Sequence, residues 1–178
     1  MFVNKIPFLV TLGHQVKFTT IENLPNRWTT TLLKEIRLVI ILYNTQKYSI
    51  STMFMVNEFE VLESDLNKVQ VTLNTPASSE HIPEIKQQIC VIKESVWAIR
   101  NTLPYTCLPS CMISQMVSYA VLCLDGLPIG RNFYSALSPW KNITGTTFYF
   151  NKNCKIEFNT YAKTHESPTP NNSIQSRT

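Results

Sequence analysis

The strand-like run Tyr48-Ser-Ile-Ser-Thr-Met-Phe-Met-Val56 ends abruptly in Asn57-Glu58-Phe59-Glu60. A second strand-like run covers residues 69–73, and a helix begins at Pro83. Many phosphoryl-transfer enzymes hold metal-binding carboxylates where a strand with a polar end faces the N-terminus of a helix. The stretch therefore predicts an α/β fold, and it raises the question of whether those carboxylates are present.

Four segments have the apolar periodicity of helices. The clearest covers residues 83–101, where apolar residues recur at steps of three and four, namely Ile85, Ile89, Ile92, Val96 and Ile99. Pro83 suits the first turn of this helix, and Glu84 complements the positive end of the helix dipole. Similar patterns predict helices at 29–43, 59–66 and 109–124, of which the last is the most apolar.

Short strands are predicted ahead of these helices, at residues 2–3, 8–12 and 16–21. Turn-forming residues lie between them, so the three strands should form an antiparallel meander. The apolar run at the N-terminus is interrupted by Pro7 and lacks a small-residue cleavage site, so no signal peptide is predicted. The apolar run 111–124 is too short to span a bilayer, which predicts a buried helix and no membrane partner.

The composition is that of a globular protein with an uneven charge distribution. Of the 178 residues, 44% are hydrophobic and 16% charged, and the net charge is +4. Residues 1–56 contain six basic and two acidic residues, residues 57–94 three basic and seven acidic, and residues 95–178 seven basic and three acidic. Basic regions around an acidic middle suit a protein that contacts phosphates around an acidic pocket, and they equally suit a solvated surface.

The cysteines and histidines give no metal-binding pattern. The five cysteines include Cys107 and Cys111 as a C-x3-C pair with no second pair and no histidine nearby. They are expected to be free, buried thiols, which favours an intracellular location in the cytoplasm or the nucleus. His14, His81 and His165 are scattered and are interpreted as surface or packing residues.

The sequence changes character beyond the predicted α/β domain, which we place at residues 1–127. Residues 128–161 are rich in turn residues and aromatics and are predicted to form a short β-rich or irregular extension, with strand candidates at 147–150 and 154–158. Residues 162–178 have almost nothing to bury, so they are predicted to form a disordered tail.

Several motifs resemble the integrase core of copia-type LTR retrotransposon polyproteins. Met53-Phe-Met-Val-Asn-Glu-Phe-Glu60 and the segment from Glu80-His-Ile-Pro-Glu-Ile-Lys86 to Glu94 are similar to a lineage whose strand ends in M-D-N-E-F-E and whose helix opens H-V-P-E-I-E-R. Landmarks in the same order follow at 102–105, 136–139, 144–146 and 164–168. The resemblance implies a ribonuclease H-like fold, in which a mixed five-stranded sheet with a truncated first strand is flanked by helices.

An active member of that family binds two Mg²⁺ or Mn²⁺ ions through three carboxylates to perform DNA strand transfer. By the resemblance, the second aspartate of the family falls on Val56 and the helix glutamate on Lys86, while the first aspartate would precede Met1. Valine has no metal-binding atom, and the lysine ammonium would repel a cation. Glu84 should face elsewhere on the helix, and Glu58 alone could not hold two ions. The resemblance therefore implies no catalytic residues, no metal ligands and no cofactor.

Three hypotheses follow from these residues. The first is a catalytically inactive remnant of a retrotransposon integrase, which is not an enzyme and acts on no small-molecule substrate. The second is a binding module that keeps the fold to hold nucleic acid, with weak DNA binding, or a protein partner. The third is an active nuclease or integrase, which rests on the family resemblance alone.

The second hypothesis names its own candidate residues. Lys34, Arg37, Lys93 and Arg100 are the candidate phosphate contacts, and Trp97 is a candidate for stacking on a base. The alternatives are a solvated face for the basic residues and packing of Trp97 against the neighbouring helix.

Overall fold

A computed structural model describes residues 1–75, 83–128, 137–154 and 158 of the chain. Its first sheet contains β1 (Phe2–Val3), β2 (Ile6–Leu12) and β3 (Thr19–Asn23), in the antiparallel order β1-β2-β3. The β1–β2 hairpin turns through Asn4 and Lys5, which both have positive φ angles of 48° and 66°. Asparagine tolerates this backbone region well, which makes the two-residue turn possible.

A second sheet contains β4 (Thr52–Phe54) and β5 (Thr72–Asn74), which pair in parallel. The connection between them contains a 3₁₀ helix (Asn57–Leu62) and α2 (Glu63–Asn67), as the crossover between parallel strands requires. The predicted short helix at 59–66 is confirmed by these two elements. Each strand is only three residues long, shorter than the runs predicted at 48–56 and 69–73.

The remaining helices confirm the periodicity of the sequence. Helix α1 spans Thr29–Thr45, α3 spans Pro83–Thr102 and α4 spans Ser110–Gly126. They are followed by two short helices, α5 (Pro139–Thr144) and α6 (Phe150–Asn153). None of the helices in the described ranges is both long and apolar enough to cross a membrane.

Two hydrophobic cores lie on opposite sides of β2. Phe8 belongs to the core formed with α3 and α4, whereas the next residue, Leu9, belongs to the core formed with α1 and α2. Successive side chains of a strand point to opposite faces, so one strand serves both cores. Met53 and Leu73, from β4 and β5, pack against the second core. The elements are therefore arranged in layers of helix, sheet and helix.

The predicted single sheet of five strands is not confirmed, because the described residues form one sheet of three strands and one of two. In the fold implied by the resemblance, the first strand lies in the middle of the sheet, so the break would fall beside β1. Here β1 has two residues and pairs only with β2, so it does not provide a backbone edge long enough to join the two parts.

Two further predictions need correction. The strand predicted at 147–150 is wrong: 147–149 are irregular and Phe150 begins α6. In the strand predicted at 154–158, Cys154 and Phe158 are not in a strand, and 155–157 lie outside the described residues, as does the predicted tail at 162–178. The cysteines are free, but Cys90, Cys107 and Cys111 are exposed rather than buried, because they lie on outward-facing positions of α3, its following loop and the start of α4.

Candidate functional site: the family metal positions and the α3 groove

Val56 lies just beyond the end of β4, where its extended backbone leads into the 3₁₀ helix. Its carbonyl accepts a hydrogen bond of 2.9 Å from the amide of Phe59, which begins the helical turn. The side chain is 57% exposed, so burial in the core does not explain a valine at this position. A strand end of this kind can present a side chain to solvent, but this side chain has no atom that could bind a metal ion.

Lys86 lies in the first turn of α3 and is exposed. Two residues earlier, Glu84 accepts hydrogen bonds of 2.9 Å from Lys17 and 2.9 Å from His14, both in the connection between β2 and β3. The hydrogen bond from Lys17, followed by that from His14, lowers the pKa of the Glu84 carboxyl. Glu84 therefore links the start of α3 to the connection between β2 and β3.

Glu58 is the carboxylate nearest to Val56 in the sequence, and it forms an exposed ion pair with Arg27. The same Arg27 guanidinium lies 5.5 Å from the centre of the Phe2 ring, within the range of a cation–π contact. The ion pair thus links the segment after β4 to the start of the chain, close to the break between the two sheets.

These residues do not fit a pair of divalent cations. Val56 and Lys86, the positions that the sequence resemblance aligns with metal ligands, carry an aliphatic side chain and a positive charge. The carboxylates of Glu58 and Glu84 each have basic partners. Within the described ranges, no three histidine, cysteine, aspartate or glutamate side chains come together in a way that could hold a metal ion. Hard divalent cations need several oxygen ligands around one point.

Three of the predicted nucleic-acid contacts are brought together. Lys93, Trp97 and Arg100 lie on one face of α3 and line an open groove with a volume of about 520 Å³. We call this depression the α3 groove. Its other lining residues come from β1 and the turn after it, from α3 and the loop that follows, and from α4, namely Phe2, Val3, Asn4, Val96, Thr106, Leu108, Ile113 and Met116. Trp97 is 69% exposed, so packing against a neighbouring helix does not bury its side chain.

The other two predicted contacts lie on α1, away from this groove. Lys34 is exposed and comes within 3.7 Å of Glu35. Arg37 is also exposed, and its positive charge is one of the causes that lower the pKa of Asp65 on α2, after the hydrogen bond and charge of Lys68. These surroundings resemble those of an ordinary solvated helix face.

Sequence reasoning missed a buried carboxyl at the end of α4. Asp125 is 3% exposed, and its Oδ1 accepts a hydrogen bond of 3.1 Å from the amide of Thr19. The hydroxyl of Thr19 also accepts a bond of 3.0 Å from Gln88 on α3. Burial raises the pKa of Asp125 to about 7, although the bonds from Thr19 oppose the shift. The sequence signal was an aspartate ending a strongly apolar run, a pattern also shared by exposed helix ends.

Comparison with solved structures places this fold among retroviral integrase catalytic cores. The catalytic core domain of BIV integrase superimposes with a TM-score of 0.57 at 13% identity, covering 80% of this chain and 88% of that one. The HTLV-2 integrase catalytic core domain in complex with magnesium gives a TM-score of 0.52 at 10% identity, covering 79% and 88%. The chain therefore has an integrase-like fold, as the sequence resemblance implied.

A third structure, the simian T-cell lymphotropic virus intasome in complex with PP2A regulatory subunit B56 gamma, gives a TM-score of 0.59 at 9% identity. The match covers 79% of this chain but only 50% of that one. Neither a family model nor a curated protein matches the sequence. At such low identities the similarity describes the fold.

Proposed function

We propose that this domain is a catalytically inactive, integrase-like remnant of a copia-type retrotransposon. The observation that carries the proposal is the pair of side chains at the family metal positions, Val56 and Lys86, on a fold of the integrase class. Metal-assisted strand transfer requires cations that activate the attacking hydroxyl and stabilise the leaving oxygen. An aliphatic group and an ammonium group supply neither function, and the nearby Glu58 and Glu84 are held by basic side chains.

A strand-transfer assay with Mn²⁺ and a pre-processed DNA end tests this proposal. We expect no product above the level of a reaction without protein. Product that disappears in the Glu58→Ala variant would overturn the proposal, because it would show that Glu58 takes over the role of a lost ligand. Lys86→Ala is the matched control, since it removes an exposed charge on α3 without removing any carboxylate.

A second function, non-catalytic nucleic-acid binding, is favoured by the position of Lys93, Trp97 and Arg100 in one groove. Exposed lysine and arginine side chains attract phosphates, and an exposed indole offers a stacking surface. Protein binding by the same fold remains the alternative use. Nucleic-acid binding predicts a gel shift with DNA that weakens as salt increases, because bound phosphates release counterions.

Paired variants locate the binding surface. Lys93→Ala with Arg100→Ala should weaken the gel shift more than Lys34→Ala with Arg37→Ala, because the first pair lies in the α3 groove and the second on α1. Each pair removes two positive charges, so the two variants have the same net charge. An equal loss in both would indicate a nonspecific electrostatic effect, and no shift at low salt would reject nucleic-acid binding.

A further inference from the structure

The α3 groove combines positive charge with an exposed aromatic surface. Lys93 and Arg100 are seven residues apart on α3, which places them about 10 Å apart along the helix axis. Trp97 lies between them on the same side of the helix. No aspartate or glutamate is among the described residues that line the groove. A ligand here meets two positive charges with an indole between them.

A hydrogen bond positions Arg100 at the rim of the groove and leaves the guanidinium charge available to a ligand. One N–H group of Arg100 donates a hydrogen bond of 2.8 Å to the carbonyl of Thr106 in the loop after α3. Guanidinium has five N–H donors in a planar fork, so this bond fixes the group and leaves donors for an anion. The floor consists of apolar side chains of α4, Ile113 and Met116.

The exposure of the indole favours single strands over duplexes as ligands. The groove volume of about 520 Å³ is in the range of a small-ligand site. In a duplex the bases are stacked on each other, so their faces are not available to Trp97. An unpaired base can stack on an exposed aromatic ring while its phosphates approach the flanking cations.

We propose that the α3 groove binds an unpaired nucleotide of single-stranded nucleic acid, with the base stacked on Trp97 and the adjoining phosphates contacted by Lys93 and Arg100. This inference rests on the nucleic-acid-binding function and adds the class of ligand. It does not depend on whether the domain is catalytically inactive.

Fluorescence anisotropy with a labelled oligothymidylate, a labelled duplex and unlabelled dTMP as competitor tests the proposal on the full chain. The oligothymidylate should bind more tightly than the duplex, and Trp97→Ala should weaken its binding about 5- to 150-fold, the usual loss for one stacked base. Trp28→Ala is the matched control, because Trp28 is 72% exposed and does not line the groove. Circular dichroism should show that both variants keep the helical signal of the parent.

The outcomes separate this inference from the function on which it rests. Salt-dependent duplex binding with no preference for the single strand, or equal effects of Trp97→Ala and Trp28→Ala, would overturn the groove assignment and leave nucleic-acid binding intact. Lack of binding to both labelled DNAs would reject the two together. Unlabelled dTMP and unlabelled oligothymidylate can be compared as competitors, per nucleotide. If dTMP competes equally well, the single-strand assignment is overturned and the ligand is a free nucleotide.

Discussion

The two sheets of this domain differ in strand pairing and in the length of the connections between their strands. In the first, β2 and β3 pair over five consecutive residue pairs, and the chain returns through short local connections. In the second, β4 and β5 pair over three residues, and the chain must pass through a 3₁₀ helix and α2 before it can pair again. Local antiparallel pairing needs little help from the rest of the chain, whereas the short parallel pair depends on the core beneath it.

The largest effects should come from the two cores. Ile36 in the second core and Ile92 in the first are both 0% exposed. Truncation to alanine leaves a cavity, so Ile36→Ala and Ile92→Ala should each lower the free energy of unfolding by about 2–5 kcal/mol. Urea denaturation followed by circular dichroism measures both.

The same experiment tests whether the two hydrophobic cores, and the sheets packed on them, unfold together. One transition, shifted in both variants, is expected because β2 supplies Phe8 to one core and Leu9 to the other. Val61→Ala is the control, since Val61 is 63% exposed and its truncation should cost little. Two separate transitions, each sensitive to only one variant, would show that the two parts are independent.

The buried Asp125, at the end of α4, should make the stability of the fold sensitive to pH. Its pKa in the folded chain is about 7, above the ordinary value of 3.8, so the folded state holds the proton more tightly than the unfolded state does. The contribution of Asp125 to the free energy of unfolding is therefore fully present below about pH 4. It is lost as pH rises through 7, and the loss is at most about 4 kcal/mol. Thermal melts from pH 4 to pH 8 measure the change.

An amide at this position should remove that dependence. Asp125→Asn can keep the bond from the Thr19 amide and carries no charge, so it should flatten the profile and raise stability at pH 8. Glu22→Gln is the control, because partial burial also raises the pKa of Glu22, which lies near the exposed end of β3. This variant should leave the pH dependence due to Asp125 in place. An unchanged slope in Asp125→Asn would assign the pH dependence to other groups.

The smallest effect is expected for the contact between the first sheet and the start of α3. Lys17→Ala removes one of the two basic partners of Glu84, and partly exposed ion pairs contribute about 1 kcal/mol or less. The melting temperature should fall slightly at low salt and hardly at all at high salt. A large loss would mean that the β2–β3 connection is essential for docking α3.

The long elements were predictable because their periodicity extends over many residues. The stripe from Ile85 to Ile99 indicated α3 almost to the residue, and the resemblance indicated the fold class. The division into two sheets was not predictable from local pattern, because it depends on whether β1 is long enough to pair on both edges. The strand predicted at 147–150 is wrong: 147–149 are irregular, and the rings of Phe148 and Phe150 pack edge to face, 4.9 Å apart between their centres.

The candidate site was predictable in its residues but not in its grouping. The sequence identified five basic and aromatic residues, and only the folded chain separates Lys93, Trp97 and Arg100 from Lys34 and Arg37. The location of Asp125 against Thr19 depends on how α4 crosses β3, which no short sequence pattern specifies.

Carboxylates placed at the two positions that the resemblance aligns with metal ligands would test whether the loss of those ligands explains the proposed inactivity. In electron paramagnetic resonance titrations with Mn²⁺, we expect no specific site in the parent chain and at least one in the double variant Val56→Asp with Lys86→Glu. Either single variant should bind more weakly than the double variant, because a divalent cation needs several oxygen ligands. Specific Mn²⁺ binding by the parent chain, or no increase in Mn²⁺ binding in the double variant, would contradict the proposal that Val56 and Lys86 stand in place of lost metal ligands.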